Sequence, residues 1–233
     1  MKLAGIDEAG RGPVIGPMVI AAVVVDEKNL PKLEELGVKD SKKLTPKRRE
    51  KLFDEIIALL DDYIIIELWP DKIDSRNGTL NEFEVENFVE TLNSLRVKPD
   101  VIYIDAADVK EKRFGEEIRQ GLNFEAKIIA EHKADDKFVP VSAASILAKV
   151  SRDKAVENLK KKYGEIGSGY PSDPRTRAFL ESYYREHGEF PPIVRKGWKT
   201  LKKIEEKVRA EMETKKSEKK EQVSLERFLK GQP

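Results

Sequence analysis

Cysteine is absent from all 233 residues. Disulfides and thiolate chemistry are therefore excluded, and a reducing interior is the simpler context. Histidine is almost missing as well: His132 and His187 are the two in the chain, and both read as structural. No apolar run approaches the roughly 18–20 residues that span a bilayer. The first residues enter a strand with no signal-like segment, so the chain reads as a soluble cytoplasmic protein. Neither sign of charge dominates, because charged residues make up 37% of the chain while the net charge is only +1. Such a balance argues against indiscriminate nucleic-acid binding. Glutamine is scarce too, and few thermolabile residues beside many charges fit a heat-adapted organism.

The neutral total hides a local asymmetry. Residues 39–51, "KDSKKLTPKRREK", carry seven basic and two acidic residues, whereas 53–90 is mainly acidic. A basic patch can coexist with a neutral sum. The length suits one sizeable core with a smaller appended element. Strand and helix patterns alternate: "MVIAAVVV" (18–25) is a buried strand, and "TPKRREKLFDEIIALLDD" a helix with Thr45 as N-cap and Pro46 at its first position. "YIIIELW" (63–69) and "DVIYIDAAD" (100–108) are strands, with an amphipathic helix over 79–96 between them. A helix over "KRFGEEIRQGL" and a fifth strand in "EAKIIAEHKADD" follow. Residues 140–163 read as one long helix, whose Ser142, Ala143, Ala144 and Ser145 allow close packing. Two further helices fall near 174–186 and 198–213. The charged stretch "ETKKSEKKEQ" reads as disordered. The organisation is an α/β body over 1–165, a helical region over 166–213 and a flexible tail over 214–233.

The chemistry starts in "KLAGIDEAGRGPVIGP". Asp7 and Glu8 follow a short apolar strand and lead into a glycine-rich turn. Acidic residues are depleted from strand interiors, so the pair suggests a site at a sheet edge. The glycines let backbone approach a ligand closely. A dinucleotide site fails on detail: Gly10, Gly12 and Gly16 give G-x-G-x-x-x-G, and Pro13 and Pro17 interrupt the expected helix start. Asp105 closes the fourth strand and Asp135 follows the fifth. Each alone is a strand-end or helix-cap aspartate. Together they share one property, because ligand sites in open sheets gather outside strand ends. Four carboxylates without cysteine make an all-oxygen site that favours Mg²⁺ or Mn²⁺, and they cluster in ionised form only around cations. Two such ions suit phosphodiester hydrolysis.

At this point the motifs resemble ribonuclease HII, the type 2 ribonuclease H, in its archaeal form. "GIDEAGRGP" (5–13), "DSKKL" (40–44), "YIDAAD" (103–108), "KADDKFVPVSAASILAKVSRD" (133–153) and "GSGYPSDP" (167–174) stand in the family's order. The resemblance implies a ribonuclease H-like fold, with a mixed five-stranded sheet flanked by helices and a helical C-terminal part. It implies endonucleolytic cleavage of RNA in RNA–DNA hybrids, and cleavage 5′ of single ribonucleotides in duplex DNA, leaving 3′-hydroxyl and 5′-phosphate ends. Such activity serves ribonucleotide excision repair and primer removal. By position, the metal-binding acids are Asp7, Glu8, Asp105 and Asp135, with Asp136 an adjacent solvent-facing decoy. The Gly10–Arg11–Gly12 turn resembles the family's ribonucleotide sensor, and reading RNA at one nucleotide does require a contact to the 2′-hydroxyl. Tyr170 resembles the tyrosine that stacks on the following sugar. Ser41 and Lys42 resemble phosphate contacts. Lys149 and Arg152, three apart on one helix face, either follow the duplex backbone or are simply exposed.

Near the end, "QVSLERFL" resembles a sliding-clamp interaction motif. Gln222, Leu225, Phe228 and Leu229 are its anchors, and the last three form a compact apolar plug over one helical turn. Leu229 departs from the second aromatic of the stronger motif. The competing reading is a terminal helix packed on its own domain. The chain is expected to act as a monomer without a membrane. Two other functions remain open here: another nuclease of the same fold that lacks a 2′-hydroxyl sensor, and a clamp-bound nucleic-acid adaptor without turnover.

Overall fold

The structure is a computed structural model that describes residues 1–39, 44–106 and 111–229, with side chains through Gln222. Five strands form one mixed sheet: β1 (Lys2–Ala9), β2 (Met18–Asp26), β3 (Asp62–Leu68), β4 (Val101–Asp105) and β5 (Lys127–Glu131), in the order β3-β2-β1-β4-β5. β1 pairs antiparallel with β2, and β2 with β3, while β4 and β5 run parallel to β1. β2 is buried from Met18 to Val25, as a continuous β-branched run in a doubly covered strand requires.

The helices are α1 (Leu30–Glu35), α2 (Pro46–Ile57), α3 (Pro70–Asp74), α4 (Leu80–Asn93), α5 (Glu111–Gly121), α6 (Ala134–Lys137), α7 (Val139–Tyr163), α8 (Pro174–His187) and α9 (Lys199–Leu229). Thr45 caps α2 by accepting from the Arg48 N–H, and Thr79 and Glu82 form a reciprocal capping box at the start of α4. One sheet face packs Leu3, Val19 and Val23 against Leu52 and Ile56 of α2 and Ala143 and Leu147 of α7. The opposite face packs Ile6, Ile20 and Ile104 against Phe88 and Leu92 of α4 and Phe114 of α5. A third cluster joins Val14 and Ile15, after β1, to Val156 of α7, Leu180 of α8 and Leu201, Ile204 and Val208 of α9.

The closest backbone approach lies at Gly5. A Cβ there would sit 2.1 Å from the Pro140 carbonyl carbon and 2.4 Å from the Val141 nitrogen. The first turn of α7 therefore rests directly on β1, which its run of small residues permits.

Two expectations are corrected. β1 does not end before the acidic pair: Asp7 pairs with Ala21, Glu8 with Ile20 and Ala9 with Val19. The antiparallel ladder with β2 carries the acids into the strand against their intrinsic preference. The last helix also continues past 213 to Leu229, through the stretch read as disordered. Leu201, Ile204 and Val208 anchor its first turns, and beyond them Lys and Glu, both good helix formers, run without glycine or proline. Among the described residues no helix is long and apolar enough to cross a membrane.

Candidate functional site

Strand alternation sends Asp7 and Glu8 to opposite faces of β1. Asp7 lies on the α7 face, with Leu3 and Ala9; Glu8 shares the α4 face with Ala4 and Ile6. Asp105 ends β4, and α6 brings in Asp135 right after β5. One carboxylate oxygen from each of Asp7, Asp105 and Asp135 lies within 4.8 Å of the other two. Asp7 and Asp135 are buried, whereas Asp136 faces solvent.

The backbone around these acids is fixed locally. The Ala134 N–H donates to Asp105 Oδ1 at 3.0 Å, which ties α6 to the end of β4. Lys133, just before α6, has φ +55°, the one non-glycine residue with positive φ among those described. That left-handed step turns the chain sharply enough to bring Asp135 back over the sheet edge. Ser142 Oγ donates to the Asp135 carbonyl oxygen. Ser145 hydrogen-bonds the Asp7 carboxylate, and Lys149 Nζ donates to Ser145 Oγ at 2.8 Å. Lys149 thus stands with the acids rather than apart on an outer helix face.

Electrostatics within the cluster are unfavourable in the absence of cations. Burial, then the charges of Glu8 and Asp105, push the Asp7 carboxyl well above its usual range; Ser145 and Lys149 oppose this. Burial also raises Glu8, which the Arg11 guanidinium counters and Asp105 reinforces. Glu8 is therefore in electrostatic reach of Asp105, although the geometric triad does not include it. Oxygen-only donors, buried and mutually repulsive, fit a hard divalent cation of the Mg²⁺ or Mn²⁺ type.

A second group of residues lies beyond Glu8. Gly10 has φ +81°, and a Cβ there would come within 2.4 Å of the Arg152 side chain, so only glycine fits. The Arg195 guanidinium, wholly buried, donates to the carbonyls of Gly10 (2.7 Å), Arg11 (3.0 Å) and Gly16 (3.0 Å). Trp198 Nε1 donates to the Gly12 carbonyl at 3.0 Å. The exposed Gly12 faces the Tyr170 ring, 3.5 Å from where its Cβ would be. Tyr170 is itself 40% exposed, with the Arg152 guanidinium 5.3 Å from its ring centre. The 167–170 loop is pinned to the turn because the Val14 and Ile15 N–H groups donate to the Gly169 carbonyl.

The structure therefore brings Gly10, Arg11, Gly12 and Tyr170 into one corner and Asp7, Asp105, Asp135 and Lys149 into another, with Glu8 between them. Ser41 and Lys42 lie outside the described residues. Gln222 is exposed on α9; the side chains of Leu225, Phe228 and Leu229 lie outside the described part. Sequence reasoning missed Arg195, Trp198 and Glu84, and it assigned Ser142 and Ser145 only small size. Glu84 left a trace: it occupies a buried position on α4 between Phe83 and Phe88, where the helical pattern calls for an apolar residue.

The family model described as Ribonuclease HII matches residues 4–201. The ribonuclease HII of Thermococcus onnurineus is 80% identical over 229 residues, covering 98% of this chain and 99% of its own. Among solved structures, the ribonuclease H2 from Pyrococcus horikoshii matches with TM-score 0.87 and 61% identity, over 90% of this chain and 99% of that one. The ribonuclease HII in a PCNA:RNase HII complex from Archaeoglobus fulgidus matches with TM-score 0.78 and 43% identity, over 87% and 96%.

Proposed function

The chain belongs to the ribonuclease HII family and is a metal-dependent endoribonuclease, and from that premise we propose that it cuts 5′ of ribonucleotides in RNA–DNA hybrids and in duplex DNA, leaving 3′-hydroxyl and 5′-phosphate ends. The observation that carries this reading is the triad of Asp7, Asp105 and Asp135 within 4.8 Å, set beside a turn whose Gly10 position only glycine fits.

In this reading Asp7, Glu8, Asp105 and Asp135 hold two divalent ions, Mg²⁺ or Mn²⁺. When bound, such ions supply Lewis acidity at the scissile phosphate and an activated water. Lys149 offsets the acids' repulsion and orients Asp7 through Ser145, with its ammonium within reach of a phosphate. The Gly10–Arg11–Gly12 turn presents backbone to the ribose 2′-hydroxyl, the one group that distinguishes RNA from DNA at a single nucleotide. Tyr170 stacks on the following sugar, and Ser41 and Lys42 contact phosphate. Support for the turn's role is its fixed shape: Arg195 and Trp198 hold its three carbonyls from the protein side.

Residues 166–213 serve as a substrate-binding region beside the catalytic body 1–165. The 214–233 segment reaches a replication sliding clamp through Gln222, Leu225, Phe228 and Leu229; in support, the A. fulgidus relative was solved with PCNA. We place the protein in the cytoplasm as a monomer acting in ribonucleotide excision repair and primer removal. The deciding experiment is cleavage of duplexes with one, several or no ribonucleotides, with and without divalent cation. Cation-dependent cuts 5′ of each ribonucleotide are expected. Equal cutting of all-deoxy duplex would overturn the reading.

A further inference from the structure

The interior of α4 holds a carboxylate that the mechanism above does not use. Glu84 is fully buried, and its Oε2 accepts from Arg11 Nη1. Three residues earlier on the same helix face, Asn81 Oδ1 accepts from Arg11 Nη2. Glu84 Oε1 has no hydrogen-bond partner. Burying a carboxylate is costly unless it is paired, and a buried ion pair stabilises a fold no better than well-packed apolar residues of similar size. Stability alone therefore gives a weak reason for Glu84 at this position.

What the pair does provide is location. The capping box of Thr79 and Glu82 sets the first turn of α4, and Phe83 and Phe88 bury the helix against the sheet. Asn81 and Glu84 thus project from a rigid element. Their target is the middle residue of a turn flanked by two glycines, which are the most permissive residues for backbone motion. The Arg11 carbonyl is already held by Arg195 at 3.0 Å, so Arg11 is fixed at both its backbone and its guanidinium. The same guanidinium acts electrostatically on Glu8.

We propose that Glu84 and Asn81 are positioning residues: they hold the Arg11 side chain at one place beside Glu8 and thereby make the Gly10–Arg11–Gly12 turn a rigid surface for reading the ribose. The proposal rests on the ribonuclease HII reading above. Neither residue touches substrate; both act through Arg11.

The test measures binding of two otherwise identical duplexes, one with a single ribonucleotide and one all-deoxy, by fluorescence anisotropy with Ca²⁺ in place of the catalytic ion. The readout is the ratio of the two dissociation constants, which a loss of folded protein leaves unchanged. A wild type without preference for the ribonucleotide duplex would instead overturn the sensor reading itself. With that preference present, Glu84→Ala is expected to lower the ratio about tenfold. Glu84→Gln, whose amide oxygen still accepts from Arg11, keeps it within about threefold of wild type. Arg11→Ala lowers it as much as Glu84→Ala, and the double variant adds less than about twofold, since both act through one contact. An unchanged ratio in Glu84→Ala, or additive losses in the double variant, overturns the proposal. If Glu84→Ala does not fold, Asn81→Ala, which removes no charge, is expected to lower the ratio about threefold. A wild-type ratio in that variant likewise overturns it.

Discussion

Replacing Asp7 with Asn isolates the electrostatic cost of the acid cluster. Carboxylate oxygens of Asp7, Asp105 and Asp135 lie within 4.8 Å of one another. Two unit charges at that separation repel by about 3.5 kcal/mol at an effective dielectric constant of about 20. Part of this is relieved by proton uptake, because burial and the neighbouring acids raise the Asp7 carboxyl well above its usual range. The Asn amide oxygen can still accept the Glu8 N–H that now donates to Asp7 at 2.8 Å. We therefore expect Asp7→Asn to abolish cleavage yet stabilise the cation-free protein by about 2 kcal/mol at pH 7. A group whose pKa is raised by folding binds more protons in the native state, so its contribution to stability falls as pH rises from the ordinary carboxylate value to the raised one. The advantage of Asn should accordingly be full above the raised pKa and vanish below the ordinary carboxylate range. Urea titrations at about pH 7 and about pH 3 in EDTA read this directly, whereas a salt denaturant would screen the repulsion. Added Mg²⁺ should reverse the order, since about a hundredfold excess over Kd stabilises the wild type by about 2.7 kcal/mol while the variant gains little. An Asn variant no more stable than wild type in EDTA at pH 7, or equally advantaged at both pH values, refutes the reasoning.

Gly5→Ala should destabilise by about 3 kcal/mol or more, seen in the same titrations, because its Cβ would meet α7 backbone at 2.1 Å; a loss below 1 kcal/mol would mean that α7 can lift away at little cost. Arg195→Met strands three carbonyls, those of Gly10 and Gly16, which are buried, and that of Arg11, which is partly buried. It should lose about 3–5 kcal/mol in denaturation, with cleavage falling alongside. Tyr170→Phe is expected to keep kcat within about threefold, whereas Tyr170→Ala loses about tenfold or more, since stacking needs the ring and not the hydroxyl. Equal losses in both would assign the role to the hydroxyl group.

How much of this was legible beforehand differs by residue. Asp105 and Asp135 were readable because they sit where apolar runs stop, and Thr45 because a capping residue followed by proline has a local cause. The strand around Asp7 and Glu8 was not readable to its end, because its last residues are held by pairing with Ala21, Ile20 and Val19 of β2, which local propensity does not see. The extension of α9 was misjudged for the opposite reason: a charged stretch without apolar anchors resembles disorder, yet it inherits a helix nucleated by Leu201, Ile204 and Val208. Arg195 reads as one more basic residue in "PPIVRKGW". Its burial depends on three carbonyls far earlier in the chain, from 179 positions away at Gly16 to 185 at Gly10.

α7 touches both corners of the site. Ser142 and Ser145 serve the acids near its start, and Arg152 packs against Gly10 and Tyr170 two to three turns later. Ten residues of helix from Ser142 to Arg152 span about 15 Å. A single stiff rod thus sets the spacing between the two corners of the site. In the function proposed above, such a gauge would fix the offset of the cut from the ribose by the rise of one helix rather than by the course of a loop.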